Sequence, residues 1–311
     1  MTKILPGFPR CEGADLRVPC NPLTHASYGH QRTWATGVRG FLSRRLPRAL
    51  RQHMKFVALL PVDALDSLLG RRAELVPPRR LNHAGDGDFE ATGNEFLNYF
   101  IQIAGLQPGR DVLEIGCGIG RMARPLTKYL AGGSYVGIDI VPKGIQWCQK
   151  EISSRYPQFH FQLADIQNSM YNPKGRFTAD QYRFPFGDGA FDFVFLTSVF
   201  THMTMPGVEN YVREIGRMLR PSGKCLITFF LLNHEAFEHI DNGRSSLGFQ
   251  FLNGSYIADP RNPERAVGFE EGYIRERLLD AGLNVQTVRY GGWCGRQAHL
   301  SYQDIVVAGK Q

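Results

Sequence analysis

The chain has 311 residues, 43% of them hydrophobic, which is enough to bury one sizeable sheet with an appendage, and its formal net charge is +7 at pH 7. It contains no run of about 18 apolar residues and no charged start followed by an apolar core, so neither a membrane span nor a signal peptide is expected and a cytoplasmic location is the default. The six cysteines, at 11, 20, 117, 148, 225 and 294, show no C-x-x-C pairing and no histidine at metal spacing, which argues against a zinc site and against a disulfide framework.

The charge is unevenly placed. Residues 39–80 hold ten Lys or Arg against three acids, so this stretch carries the whole excess and the rest is formally neutral. Residues 1–38 are rich in Pro, Gly, Thr and His without an apolar period, so a loosely ordered start is expected. Pro47 suits a first helical position, and Leu50, Met54, Val57 and Ala58 then share one face until Pro61. A second short helix is expected over 61–69, with Asp63 and Asp66 in its first turn and Gly70 past its end. Residues 39–90 therefore read as a basic, amphipathic helical appendage and a loop. Such a stripe suits peripheral contact with an anionic membrane surface or a phosphate-bearing molecule, or docks on its own domain with its charges solvated.

Residues 77–93, PPRRLNHAGDGDFEATG, have loop composition, with Asp86 and Asp88 beside glycines as turn formers. Thr92 and Glu95 have capping-box spacing and open a helix that buries Phe96, Leu97, Phe100, Ile101 and Ala104. Residues 111–140, DVLEIGCGIGRMARPLTKYLAGGSYVGIDI, then read as strand, glycine turn, helix, strand. In such a unit a ligand sits outside the carboxyl ends of the strands. Glycines let it approach the backbone and Asp139, ending the second strand, can accept ribose hydroxyls, so a bound nucleoside is expected. The dinucleotide pattern G-x-G-x-x-G fails, because Arg121 stands at its sixth position and the third glycine falls one place early, at Gly120. Glu114, just before the glycines, would repel a pyrophosphate and suits a cationic amino-acid nucleoside.

At every fixed position, Glu114-Ile115-Gly116-Cys117-Gly118-Ile119-Gly120 resembles the first motif, E/D-x-G-x-G-x-G, of the class I S-adenosylmethionine-dependent methyltransferase family. The resemblance continues in order. Asp139 stands where the family binds ribose, and Asp165, ending FHFQLAD, where it meets the adenine amine. Residues 184–203 look like the fourth strand and its approach, and YVREIGRMLRPSGKCLITFF like the helix, turn and fifth strand after it. It covers roughly 111–230. It implies a Rossmann-like α/β fold: a seven-stranded, mostly parallel sheet with an antiparallel last strand and helices on both faces, here a domain over 91–311 behind the N-terminal helical appendage. It also implies S-adenosylmethionine as cofactor, held by Glu114, Gly116, Cys117, Gly118, Gly120, Asp139, Ile140, Asp165, Ile166 and Thr197. In similar enzymes the region before the first strand folds over the cofactor, which would bring Asp86 and Asp88 near a ligand.

Further along, 142–155 reads as a helix with Pro at its start and Phe159–Leu163 as the third strand. Asp165 and Pro185 lie twenty apart where the family needs a handful of residues, so 167–183 is an insertion. Its Tyr171, Asn172, Lys174, Arg176, Tyr182 and Arg183 are candidates for substrate contact, since loops on a rigid scaffold carry specificity. Phe191–Leu196 is apolar on both faces, as in a central parallel strand. Thr197, Ser198 and His202 come off its end, where the resemblance places methyl transfer, and His202 is the candidate proton acceptor or else a loop brace. Val208, Tyr211, Val212, Ile215, Met218 and Leu219 follow helical spacing after Pro206, and Pro221-Ser222-Gly223 turns the chain into a strand over 225–230. Residues 233–266 form a second insertion, expected as a lid or pocket wall. A helix over 270–281 ends at Gly282, and strands over 284–290 and 302–308 follow, an antiparallel hairpin if the resemblance holds.

The expected function is methyl transfer to a small-molecule acceptor, at a hydroxyl oxygen. One alternative is a nucleic-acid methyltransferase. Against it, Leu196-Thr197-Ser198-Val199 lacks the N/D-P-P-Y/F element that holds a flipped base, and the basic stripe lacks interleaved aromatics. The other is a cofactor-binding scaffold without turnover, against which the acids at 114, 139 and 165 speak.

Overall fold

The computed structural model describes residues 48–81, 87–252 and 254–311. The chain divides into two compact units, Met1–His53 and Met54–Gln311. The expectation for 1–38, and Asp86, lie outside the described residues. Residues 54–90, expected as part of an appendage, belong to the same unit as the sheet.

Helix α1 (Arg48–Leu68) runs as one element through Pro61, where two helices were expected. A proline removes one backbone donor and crowds the preceding turn, yet the helix continues through it, and its inner side is tethered just beyond. Buried Asp63 accepts the backbone N–H of Arg79 at 2.7 Å and of Arg80 at 3.2 Å, and its carboxylate pairs with the Arg80 guanidinium at 2.9 Å. Helix α2 (Phe89–Gln102) starts earlier than the capping-box spacing implied. Asp88 is its N-cap, accepting from Ala91 N at 2.7 Å, while Glu95 lies inside the helix and accepts the Tyr99 hydroxyl at 2.6 Å.

Strands β1 (Val112–Ile115), β2 (Tyr135–Asp139), β3 (Phe159–Leu163), β4 (Phe191–Leu196), β5 (Leu219–Phe229), β10 (Leu283–Arg289) and β11 (Asp304–Lys310) form a seven-stranded sheet in the order β10-β11-β5-β4-β1-β2-β3. β11 is antiparallel to both neighbours, and the pairings β5–β4, β4–β1, β1–β2 and β2–β3 are parallel. Alternate residues of β4 feed two cores. Phe193 and Phe195 meet Phe100 of α2 at ring distances of 5.6 and 4.3 Å, alongside α3 (Ala123–Tyr129) and α4 (Pro142–Cys148). Val194 and Leu196 pack on the other face with α5 (Met205–Met218) and α7 (Glu271–Asp280). Each such fully buried side chain contributes about 1.5–3 kcal/mol.

Local details differ from the sequence reading. The helix expected over 142–155 is α4 followed by a wider turn over Gln149–Ser153. The turn expected at 221–223 is absorbed into β5, whose register against β4 shifts there while Ser222 takes φ +64°. The second insertion is folded, with α6 (His234–Asp241) beside a small sheet in which β6 (Leu231–Leu232), β9 (Val267–Glu270), β8 (Ser255–Ile257) and β7 (Gln250–Leu252) lie side by side. Among the described residues no helix is long and apolar enough to cross a membrane.

Candidate functional site

The strand tips of β1, β2 and β4 open on one cleft. At the end of β1, Gly116, Gly118 and Gly120 all take positive φ, at +86°, +55° and +77°, a conformation costly for any residue with a Cβ. The turn is tied to β2 by its own backbone: Gly116 and Cys117 donate to the Ile138 carbonyl at 2.7 and 3.2 Å. Asp139 completes the tie, accepting Gly118 N on Oδ2 at 2.7 Å and Val141 N on Oδ1 at 2.8 Å. A carboxylate accepts more than two donors, so an acid positioned this way can also take hydroxyls presented across the glycine turn.

The cleft measures about 1060 Å³, at the upper end of the roughly 300–1,000 Å³ usual for small-molecule sites, and so has room for a nucleoside and a second reactant. Of the residues singled out from the sequence, Glu114, Gly116, Cys117, Gly118, Asp139, Ile140, Ile166, Thr197 and His202 line it. A Cβ added at Gly118 would have nothing within 4 Å, so this glycine keeps the cleft floor open, whereas one at Gly116 would strike the Val199 side chain at 2.4 Å.

Tyr171 and Ser198 line it too, whereas Asp88, Asn172, Lys174, Arg176, Tyr182 and Arg183 do not, and two of the expected cofactor contacts, Gly120 and Asp165, also stand elsewhere. Gly120 is not part of the cleft wall; a Cβ there would meet Ile152 at 2.7 Å, so it serves the close packing of the turn on the element after α4. Asp165 is exposed and turned to the first insertion, accepting Arg176 N at 3.1 Å on its carboxylate, while Ala164, Ile166 and Gln167 form the wall on either side of it.

Glu114 is buried beneath the turn. Burial pushes its carboxyl up to about 8; a hydrogen bond from the Tyr135 hydroxyl and the charge of Arg121 oppose that, and Asp139 adds to it. Burial likewise raises the thiols of Cys117 and Cys148, so Cys117 meets a ligand as a neutral group.

At the tip of β4 the chain turns sharply: Ser198 takes φ +59°, its N–H donates to the Thr228 hydroxyl at 2.8 Å, and Phe200–His202 forms one tight turn. His202 Nδ1 lies 2.9 Å from the carbonyl of Glu264, in the second insertion. A carbonyl only accepts, so Nδ1 carries the hydrogen and Nε2 is the basic nitrogen of the neutral ring. The Glu264 carboxylate in turn accepts Ser169 N at 2.8 Å and the Ser169 hydroxyl, from the first insertion. Both insertions and the turn after β4 thus meet around His202. Glu264, Asn168 and Arg121 also line the cleft. Arg121 was visible only as the residue that broke the dinucleotide pattern, and nothing in the spacing of Glu264 from His202 signals their contact.

The pattern of the family described as "Methyltransferase domain" matches residues 113–227. The chain is 33% identical over 115 residues to the phthiotriol/phenolphthiotriol dimycocerosates methyltransferase of Mycobacterium tuberculosis, covering 37% of this chain and 36% of that protein. It is 29% identical over 126 residues to the sterol 24-C-methyltransferase of Schizosaccharomyces pombe, covering 40% and 29%. The matched part is therefore about a third of the length of these curated relatives. Among solved structures, the PH0226 protein of Pyrococcus horikoshii superposes with a TM-score of 0.50 at 16% identity, over 71% of this chain and 90% of that one, a likeness of fold.

Proposed function

We propose that this chain, whose residues 113–227 match the family described as "Methyltransferase domain", is a class I S-adenosylmethionine-dependent methyltransferase that transfers a methyl group to a hydroxyl oxygen of a small-molecule acceptor. The observation that carries this reading is the tie between Asp139 and Gly118 N at 2.7 Å, which sets an acid and an open glycine floor side by side. S-adenosylmethionine bound there supplies a methyl already activated by the positive sulfur. Asp139 would hold the ribose, Ile140 and Ile166 would flank the base, and Glu114 would face the cationic end.

The chain's own part in the reaction is to hold two reactants in line and exclude water, which can supply about 7–11 kcal/mol of the barrier. His202, its Nδ1 committed to a carbonyl, would take the hydroxyl proton on Nε2, a contribution of about 10²- to 10⁴-fold. The two insertions, joined through Ser169 and Glu264, would bind the acceptor. The names of the relatives, a phthiotriol/phenolphthiotriol dimycocerosates methyltransferase and a sterol 24-C-methyltransferase, favour an acceptor with a large apolar body.

Calorimetry with S-adenosylmethionine tests the donor half: saturable binding that weakens in Asp139→Ala is expected, and no heat from the pure protein would end the proposal. Turnover with hydroxylated lipids tests the acceptor half. His202→Gln should lower kcat by about 10²-fold or more while leaving cofactor affinity unchanged; an unaltered kcat would reduce His202 to a brace.

A further inference from the structure

Helix α1 is mounted with its apolar side outward. Its inner side carries half-buried Phe56 and Leu59 and the acids Asp63 and Asp66: Asp63 is 3% exposed and bound to Arg79 and Arg80, and Asp66 pairs with Arg79 at 2.9 Å. On the opposite side Met54, Val57, Pro61, Leu65 and Leu68 follow one another at three- and four-residue spacing, and all are exposed, Leu68 at 84%. A helix on a globular protein ordinarily does the reverse. Single exposed apolar side chains need no explanation, but a stripe running the length of a helix does.

The charge around the stripe is predominantly basic, Glu74 beyond the helix end being paired with Arg155 at 3.5 Å. Both acids of the helix are turned inward, and the exposed Arg71 and Arg72 follow its end. The sequence adds Arg48, Arg51 and Lys55 along the same helix. We propose that this face docks the protein on a bilayer bearing anionic headgroups, with the apolar stripe entering the boundary between headgroups and acyl chains and Arg71 and Arg72 at the level of the phosphates. A second copy of the chain fits the surface less well, because parallel or antiparallel stacking of two such helices brings cationic ends together. The inner side of α1 also lies against the cleft's neighbourhood: the Phe56 ring sits 4.8 Å from Lys143 Nζ, two residues beyond Val141 of the cleft wall. A bilayer on the outer side would hold the cleft close to lipid.

Co-sedimentation of the cofactor-free full chain with vesicles reads this inference independently of methyl transfer. Pelleting is expected with vesicles of mixed phosphatidylcholine and phosphatidylserine, much less with phosphatidylcholine alone, and weaker at high salt. Leu65→Glu with Leu68→Glu should lower vesicle affinity about tenfold or more, and Arg71→Glu with Arg72→Glu about fivefold for each charge lost. All four side chains are exposed, so both variants should keep the wild-type Tm and cofactor affinity. The proposal is overturned by absence of vesicle binding, by binding that neither variant alters, or by a concentration-dependent dimer that the leucine variant dissolves, which would assign the face to a second copy.

Discussion

Glu114 has a pKa raised by burial to about 8, so in the cofactor-free protein it carries its proton at pH 7. A cation placed beside it favours the carboxylate, so cofactor binding should expel up to about one proton and tighten as pH rises toward 8. Calorimetry in buffers of different ionisation enthalpy would read that proton; Glu114→Gln should abolish it, and S-adenosylhomocysteine, lacking the sulfonium charge, should release less. The glycines allow a sharper separation of roles. Gly118→Ala adds a methyl to open cleft at a backbone of φ +55°, so stability should drop by about 1 kcal/mol while cofactor affinity falls at least about tenfold. Gly116→Ala drives a methyl to 2.4 Å from Val199 and should cost about 2–4 kcal/mol of stability, read by denaturant unfolding. Asp139 was legible as a cleft-lining acid because it ends an apolar run beside a glycine turn. Asp165 also ends an apolar run, yet it turns to the first insertion, where it accepts Arg176 N, a partner eleven positions on that no spacing in the motif announces.

Among the elements, α1 is fastened to the rest of its unit by a buried carboxylate, Asp63, bound to Arg79 and Arg80. Asp63→Ala removes the acceptor for two backbone N–H groups and the partner of Arg80, at a cost on the order of 3 kcal/mol. Hydrogen exchange should speed up across 56–81 while the amides of β1 and β4 keep their protection; loss of protection throughout would show instead that the helix is part of the global folding unit. The parallel strands and the helices between them were readable from apolar runs and period. The β6–β9 sheet was not, since its strands are two to four residues long and β7 is exposed throughout, too short for alternation to register. The start of α2 was misplaced for a related reason: Asp88 and Thr92 both head a plausible helix, and what favoured Asp88 was the burial of Phe89 in the folded chain.

For the whole molecule, acids whose pKa values are shifted in opposite directions set the response to pH. Asp304 accepts the backbone N–H groups of Gly291 and Leu231 and the Trp293 indole, and still burial pushes its carboxyl up to about 6. With Glu114 at about 8, two groups bind protons more tightly folded than unfolded. Their stabilisation is complete below about pH 4 and is lost as pH rises through 6 and then 8. Asp111, Glu214 and Glu271 are shifted down, the first chiefly by a hydrogen bond from Ser134 and the other two by bonds from arginines that outweigh burial, so their contribution is lost only as pH falls below about 4. The cofactor-free protein should therefore have its highest Tm near about pH 5, and saturating S-adenosylmethionine should move that maximum toward neutral by drawing the Glu114 proton off. A Tm maximum at pH 8 without cofactor would contradict this balance.

The linear chain alone determined the unit that walls the cleft: strand, glycine turn, helix and acid lie within 30 consecutive residues, 111–140, and contacts between near neighbours are encoded where their residues stand. It also determined where the parallel strands and the helices between them lie along the chain, because apolar runs and helical period mark them, while their order in the sheet came from the folded structure. The tertiary structure decided what depends on distant segments meeting: the carbonyl of Glu264 fixing the tautomer of His202 across 62 positions, the direction of Asp165, and the outward turn of the leucines on α1. Each of these is settled by where burial falls once the sheet is assembled, and burial is a property of the packed whole that no local spacing carries.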